Sequence, residues 1–163
     1  MYRSIGTESN EGHIHVFLCE DAADRTHSLR QAAEDGHVPA MFHYGLRCDD
    51  RQERRRWLRE AAHEEYVPAM YAFALECNKP SRRRYWLRKA AEEGHLEAIH
   101  TLASECDNPE DRIRWLRVAA GEGYVPAMYD LGLATADLRE RHRWLHEAAR
   151  NGWPVLDAQL CDA

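Results

Sequence analysis

Residues 86–95 read WLRKAAEEGH, and close variants of this segment recur along the chain. The variants are WLREAAHEEY from residue 57, WLRVAAGEGY from residue 115 and WLHEAARNGW from residue 144. An Ala-Ala pair keeps the same interval of 29 residues, beginning at Ala32, Ala61, Ala90, Ala119 and Ala148. A fixed period of this length is typical of proteins built by stacking one supersecondary unit, so the repeat decides the fold.

Each 29-residue unit has room for two short helices and their connections. The first helix is predicted to begin at Val38, with Pro39 in its first turn, where the missing N–H costs nothing. The second helix is predicted to follow capping residues such as Asp49 and Asp50. It is predicted to end near a glycine, at Gly36, Gly94, Gly123 or Gly152.

Both helices carry an apolar face that one repeat cannot cover alone. On the second helix, Trp57, Leu58 and the Ala-Ala pair fall on one face. This face, including its tryptophan, is predicted to be buried in every repeat. Stacked repeats cover such faces. The pattern therefore predicts an all-α fold, a right-handed α-solenoid of about five two-helix repeats.

The register also predicts the ends of the array. Residues 1–8 match no repeat and are expected to be a flexible N-terminus. The solenoid is expected to span residues 9–153 as one domain, with repeats 9–37, 38–66, 67–95, 96–124 and 125–153. Residues 154–163 are expected to form a C-terminal capping helix.

The motif Ala-x-x-x-Leu-Gly on the first helix, followed by Trp-Leu-x-x-Ala-Ala-x-x-Gly-His on the second, resembles the Sel1-like repeat, a relative of the tetratricopeptide repeat. The best matches are 57–62, 86–95, 115–124 with 127–132, and 144–152. The resemblance implies an adaptor that presents a concave groove to partner proteins. Two features differ: the loop between the helices is shortened, and Arg54 and its equivalents stand where the family has a small residue.

Composition limits the kinds of binding partner and the cellular location that are expected. The chain has 22 Lys+Arg, 28 Asp+Glu and a net charge of −6, which argues against a nucleic-acid or anionic-membrane binder. No apolar run approaches the roughly 20 residues of a membrane span, and the N-terminus lacks the apolar stretch of a signal peptide. A cytoplasmic location is therefore expected, provided that no leader has been removed.

The sequence contains no recognisable motif for catalysis, metal binding or cofactor binding. The in-phase cysteines are interpreted as small buried hydrophobes, with thiol redox or metal chemistry as the alternative. His142 and His146 are spaced like metal ligands, but Arg143 stands where a zincin has glutamate. His37 and His95 are interpreted as structural turn residues. No enzyme activity, metal or cofactor is therefore predicted.

A partner-binding groove is predicted along the first helices. Aromatic and apolar side chains at two repeat positions would line it, and polar side chains would follow one helical turn further on. The alternative is that the aromatic side chains only pack between helices. The predicted groove residues are His13, Phe42, Tyr71, His100, Tyr129, Leu46, Leu75, Leu133, Asp49, Asn78 and Asp107.

A column of arginines stands three residues before the tryptophan column, at Arg25, Arg54, Arg83, Arg112 and Arg141. In one interpretation each arginine stacks on its own indole and pairs with a nearby aspartate. In the other, Arg54, Arg83, Arg112 and Arg141 form an anion-binding stripe.

These patterns predict a scaffold that binds a peptide or helix of another protein in its groove. The alternative is a regulatory module that senses a small molecule or anion. Self-association through the solenoid ends is a further expectation.

Overall fold

The computed structural model describes residues 22–154, and over this range the chain is helical with no strand, as the repeat predicts. Its helices are α1 (Ala22–Glu34), α2 (Val38–Arg47), α3 (Arg51–His63), α4 (Val67–Leu75), α5 (Pro80–Glu92), α6 (Leu96–Ser104), α7 (Pro109–Gly121), α8 (Val125–Ala134) and α9 (Leu138–Arg150). The even-numbered helices are the first helices of their repeats, and the odd-numbered ones are the second. The fold is an all-α solenoid.

The chain divides into two compact units, Met1–Glu76 and Cys77–Ala163. In the first unit α1 packs on α2, α2 on α3 and α3 on α4. In the second unit the same succession runs from α5 to α9. The single-domain organisation stays a prediction. The expected flexible N-terminus and the first helix of the first repeat lie outside the described residues, as does the expected capping helix apart from Pro154.

The helices begin where the sequence predicts. Val-Pro opens α2, α4 and α8, and proline opens α5 and α7. Side chains cap several exposed N–H groups: Asp50 accepts from the backbone N–H of Glu53 at 2.7 Å, and Asp137 accepts from those of Arg139 and Glu140. These caps satisfy backbone donors that have no partner inside the helix.

The second helices end in a left-handed residue. Glycine holds this position at Gly36, Gly94, Gly123 and Gly152, with φ between 80° and 89°. In the second repeat the equivalent residue is Glu65, with φ of 60°. A residue with a Cβ is strained in this conformation, so the chain departs from its own consensus at this turn.

The core is made of the repeated alanines and leucines. Ala61, Ala90, Ala119 and Ala148 are fully buried, as are Leu58, Leu87, Leu116 and Leu145. Their small or compact side chains let adjacent helices approach closely, so the core follows the 29-residue period.

The tryptophan column is buried only in part, which corrects the expectation of uniform burial. Trp57 and Trp86 are buried, whereas Trp115 and Trp144 are half-buried. An open cleft lies beside Trp115. Among the described residues no further helix follows α9 to cover Trp144.

The described cysteines follow the core pattern. Cys48 and Cys77 are buried, which confirms their interpretation as small hydrophobes, and Cys106 is half-buried. Burial raises the pKa of the Cys48 and Cys106 thiols, so it disfavours their reactive thiolate forms.

Candidate functional site

An exposed leucine recurs at one position of the first helices. Leu46 in α2, Leu75 in α4 and Leu133 in α8 are 52%, 47% and 49% exposed. Ser104 holds this position in α6 and is also exposed. The adjacent positions Phe73 and Ala74 are buried. The leucines thus face solvent from helices whose other sides enter the core.

The predicted aromatic column lies one turn before the leucines. Its described members are all half-buried: Phe42, Tyr71, His100 and Tyr129. Several lie against a second ring 24 residues further on, with centroid distances of 5.4 Å for Phe42–Tyr66, 5.5 Å for His100–Tyr124 and 5.7 Å for Tyr129–Trp153. Tyr66 and Tyr124 are N-cap residues of the next first helix. Phe42 and His100 therefore pack on the start of the following first helix, and each ring of the column leaves part of its surface exposed.

The predicted polar residues of the groove are exposed, and the groove residues divide between the two units. Asp49, Asn78 and Asp107 are exposed, and His13 lies outside the described residues. The first unit holds Phe42, Leu46, Asp49, Tyr71 and Leu75. The second unit holds Asn78, His100, Asp107, Tyr129 and Leu133.

A hydrogen bond that the sequence did not predict joins α6 to α8. His100 Nε2 lies 2.8 Å from a carboxylate oxygen of Asp130, and both side chains are partly exposed. The equivalent of Asp130 is His43, Ala72 or Thr101 in the other repeats, so no repeated pattern could have indicated the pair.

Two arginines of the column, Arg54 and Arg141, contact helix ends rather than their own indoles. The guanidinium of Arg54 donates to the carbonyl oxygen of Cys48 from Nε at 3.1 Å and from Nη2 at 2.9 Å. Arg141 donates to the carbonyl oxygen of Thr135 in the same way, at 3.3 Å and 3.1 Å. Both carbonyls belong to the C-cap of a first helix, where the helix dipole is negative and attracts a cation. At Arg54 the stacked Arg-Trp-Asp arrangement is therefore wrong.

Two column arginines also reach a glutamate of the next repeat. Arg54 Nη1 lies 3.4 Å from Glu76, and Arg83 Nε lies 2.7 Å from Glu105. Glu76 and Glu105 are themselves 29 residues apart, a signal that the sequence contains. The partner of Arg112 would be Ala134, and the Arg112 side chain is exposed.

The cations that lie over the tryptophans come from other positions. Arg56, Arg114 and Arg143 each lie over the indole that directly follows them, at 5.2, 5.7 and 5.2 Å from the ring centre. Lys89 lies 5.9 Å from the ring of Trp86. Such contacts cover indole surface and keep the charge in solvent.

The turn histidines are structural, as predicted. The Nδ1 atoms of His37 and His95 accept from the backbone N–H groups of Ala40 and Ala98, so each histidine caps a first helix. Burial lowers the pKa of His95, which keeps Nδ1 free to accept this bond. His142 and His146 stack at 6.0 Å. In the part of the chain that the structure describes, no three His, Cys, Asp or Glu side chains are grouped to hold a metal ion.

Two clefts lie at equivalent repeat positions, one in each unit. The first unit has a cleft of about 280 Å³ beside Trp57, between α1 and α3. The second has one of about 590 Å³ beside Trp115, between α5 and α7. The two tryptophans are two 29-residue periods apart, and sequence reasoning missed both clefts.

No helix in residues 22–154 is both long enough and apolar enough to cross a membrane.

Comparison with known proteins identifies the fold. No protein-family model and no curated protein matches the sequence. Among solved structures, a Sel1 repeat protein from Oxalobacter formigenes is similar, with a TM-score of 0.77 and 20% identity over 86% of this chain and 68% of its own. A protective antigen of uropathogenic Escherichia coli with an SLR fold matches with a TM-score of 0.77 and 21% identity. That match covers 91% of this chain, which spans 38% of the antigen.

An immunity protein from Pseudomonas aeruginosa is also similar, with a TM-score of 0.60 and 19% identity over 97% of this chain and 69% of its own. The 29-residue helix pairs and the similarity to these structures indicate the same fold. The chain has the fold of the Sel1-like repeat proteins.

Proposed function

We propose that this chain is a protein-interaction module that binds a peptide or helix of a partner protein across its first helices. Sel1-like repeat folds generally serve as protein-interaction scaffolds and are typically not enzymes. The observation that carries the proposal for this chain is the in-phase exposure of Leu46, Leu75 and Leu133. Single exposed leucines are ordinary on protein surfaces, but here one recurs at the same repeat position, and Leu46 and Leu75 offer two anchors within the first unit.

The spacing of these two leucines suits a helix. Equivalent side chains of adjacent repeats, such as Leu46 and Leu75, are expected about 10 Å apart, the separation of packed helices. Residues seven positions apart on a helix are separated by about the same distance. An amphipathic partner helix with apolar residues at i and i+7 therefore fits the first unit, where Phe42 and Tyr71 add half-exposed rings beside the leucines.

Charge favours a basic partner. Asp49 and Asp50 follow α2 and are exposed, and the whole chain carries a net charge of −6. Lys or Arg residues beside the apolar anchors of a partner would gain from this field, and this gain would fall with added salt.

The alternative of an anion sensor built on the arginine column has weaker support. Arg54, Arg83 and Arg141 already contact a helix-end carbonyl or a glutamate. An anion would have to replace these contacts, so a structural role suits these three arginines better.

The proposal can be tested with a double substitution of exposed leucines. Leu46→Ser with Leu75→Ser removes both anchors of the first unit from the surface, so the helical circular dichroism should be unchanged. Partners retained from a native extract by the wild type are identified, purified and titrated against each form. We expect affinity to fall by at least tenfold, since each buried leucine contributes about 1.5–3 kcal/mol.

The matched control is Leu138→Ser, which removes a leucine that is 51% exposed at the start of a second helix. It should bind the purified partner like the wild type. A partner that binds the double variant as tightly as the wild type would contradict the proposed face.

A further inference from the structure

The first helices of the second unit, α6 and α8, contain no lysine or arginine. Apart from histidine, their charged side chains are Glu97 in α6 and Asp130 in α8. Glu97 lies 3.2 Å from Nδ1 of His95, at the start of its own helix. Asp130 instead reaches from α8 to α6, and no lysine or arginine of either helix can neutralise its carboxylate.

The carboxylate of Asp130 is oriented by His100. Its Oδ2 lies 2.8 Å from Nε2 of the histidine, and because an ionised carboxylate can only accept, Nε2 carries the proton and donates. The ring of His100 packs in turn against Tyr124, with the centroids 5.5 Å apart. The two side chains of the pair are 24% and 31% exposed, so a ligand on the first helices would meet a carboxylate whose direction is already set.

The other carboxylate oxygen of Asp130 has unused bonding capacity. Within residues 22–154, Asp130 forms no hydrogen bond or ion pair besides the one with His100. Both oxygens of an ionised carboxylate accept, and hydrogen bonds from cationic donors are about twice as strong as those from neutral donors. Oδ1 can therefore accept from a cationic side chain without displacing His100.

An apolar anchor lies one helical turn from this carboxylate. Leu133 follows Asp130 by three residues, so the two share one face of α8, and Leu133 is 49% exposed. In α6 the equivalent of Leu133 is Ser104, whose hydroxyl donates to the carbonyl oxygen of Thr101. The second unit therefore presents a leucine with a carboxylate, where the first unit presents two leucines.

We propose that Asp130 binds one lysine or arginine side chain of the partner, while a neighbouring apolar residue of the partner lies on Leu133. His100 is a positioning residue that orients the carboxylate. This inference rests on the proposed function and deepens it, because it names a contact that the same face makes in the second unit. No other repeat has a carboxylate at this position, so the contact distinguishes this repeat from the others.

The test uses the purified full chain and calorimetry at low salt and about pH 8, where an ordinary imidazole is neutral. One probe is the acetylated, amidated peptide Ala-Leu-Ala-Ala-Lys-Ala-Ala-Ala-Leu-Ala-Ala-Lys-Ala-Gln, and a second has glutamine in place of both lysines. We expect the lysine peptide to bind at least fivefold more tightly. Equal binding of the two peptides would overturn the cation contact alone, whereas a chain that binds neither would contradict the proposed face as well.

Substitutions locate the cation. Asp130→Asn should abolish the preference for lysine, and Asp130→Lys should reverse it in favour of a third peptide with glutamate at both lysine positions. Asp111→Asn is the matched control, because Asp111 is exposed on the second helix α7 and should leave the preference within about twofold of that of the wild type. A preference for lysine that survives Asp130→Asn in a folded chain would overturn the proposal.

The positioning role of His100 has its own readout. His100→Gln keeps an N–H donor and should retain the preference for the lysine peptide, whereas His100→Ala should reduce it at least twofold. The helical circular dichroism of both variants should match that of the wild type. If the two variants lost the preference equally, the orienting hydrogen bond would be overturned as the role of His100.

Discussion

The guanidinium of Arg54 lies on the carbonyl oxygen of Cys48, which ends helix α2, and donates two hydrogen bonds to it. Arg141 has the same relationship to Thr135 at the end of α8. The arginine comes six residues after the carbonyl, so it closes the short connection between the two helices of one repeat. At these two positions the contact gives the arginine a structural role that requires no ligand.

Arg54→Ala should lower the free energy of unfolding by about 1–2 kcal/mol, because it removes charged donors from a helix-end carbonyl at a site that solvent partly screens. Arg112→Ala is the matched comparison, since its side chain is exposed and makes no hydrogen bond or ion pair among the described residues. We expect it to change stability by less than about 0.5 kcal/mol. Urea unfolding followed by circular dichroism measures both, and equal losses would contradict the capping role.

Glu65→Gly should stabilise the chain by about 1 kcal/mol. Glu65 has a φ of 60°, in the left-handed region, where its Cβ is unfavourable and glycine is not. Gly94→Ala tests the same strain in reverse, because a Cβ at Gly94 would meet no atom within 4 Å and can cost only backbone energy. Thermal unfolding should show a higher midpoint for Glu65→Gly and a lower one for Gly94→Ala. A lower midpoint for Glu65→Gly would show that the side chain contributes more than its strain costs.

The elements that the sequence predicted correctly are those that each repeat specifies locally. Proline at residue 39 and glycine at residue 94 mark the limits of helices, and the Ala-Ala pairs mark the core. All three follow from backbone geometry or side-chain size, and the 29-residue period repeats the evidence.

The features that escaped prediction depend on single departures from the repeat. Trp115 is less buried than Trp57 and has the larger cleft beside it, although the two tryptophans occupy the same repeat position. The arginine contacts were missed for another reason: Glu76 lies 22 residues after Arg54, in the next repeat, so only the stacking of repeats brings them together. Exposed groove residues such as Leu46 were predicted by position, and their binding role stays a prediction.

Gly132→Ala should destabilise the chain although alanine favours helices. A Cβ at Gly132 would lie 2.8 Å from Cγ and Cδ2 of Leu145 and 3.3 Å from its backbone nitrogen, so α8 and α9 would have to separate. We expect a net loss of about 1–2 kcal/mol, since overpacking outweighs the helix propensity gained. At Gly45 the nearest atoms are Cγ and Cδ2 of Leu58 and Cβ of Trp57, all 3.3 Å away, so a shift of only a few tenths of an ångström would make room. Gly45→Ala should therefore change unfolding by less than about 1 kcal/mol, and a larger loss there than at Gly132 would contradict this account.

Tyr44 should make stability fall at alkaline pH. Its hydroxyl is buried and donates to Glu53 at 3.1 Å, and burial, followed by this bond, raises the pKa of Tyr44 to about 12. In the unfolded chain a tyrosine ionises near pH 10. Between about pH 10 and pH 12 the unfolded state therefore releases a proton that the folded state keeps, so the stabilisation present below pH 10 is lost as pH rises.

Tyr44→Phe keeps the ring against Trp57, where the centroids are 5.8 Å apart, and removes the ionisable hydroxyl. Urea unfolding at about pH 8 and about pH 11 should show a smaller alkaline loss for this variant than for the wild type. Tyr85→Phe is the control, because Tyr85 is 57% exposed and its removal should leave the alkaline loss unchanged. If Tyr44→Phe and the wild type lost stability equally between the two pH values, the hydroxyl would have to be more accessible to ionisation than its burial against Glu53 implies.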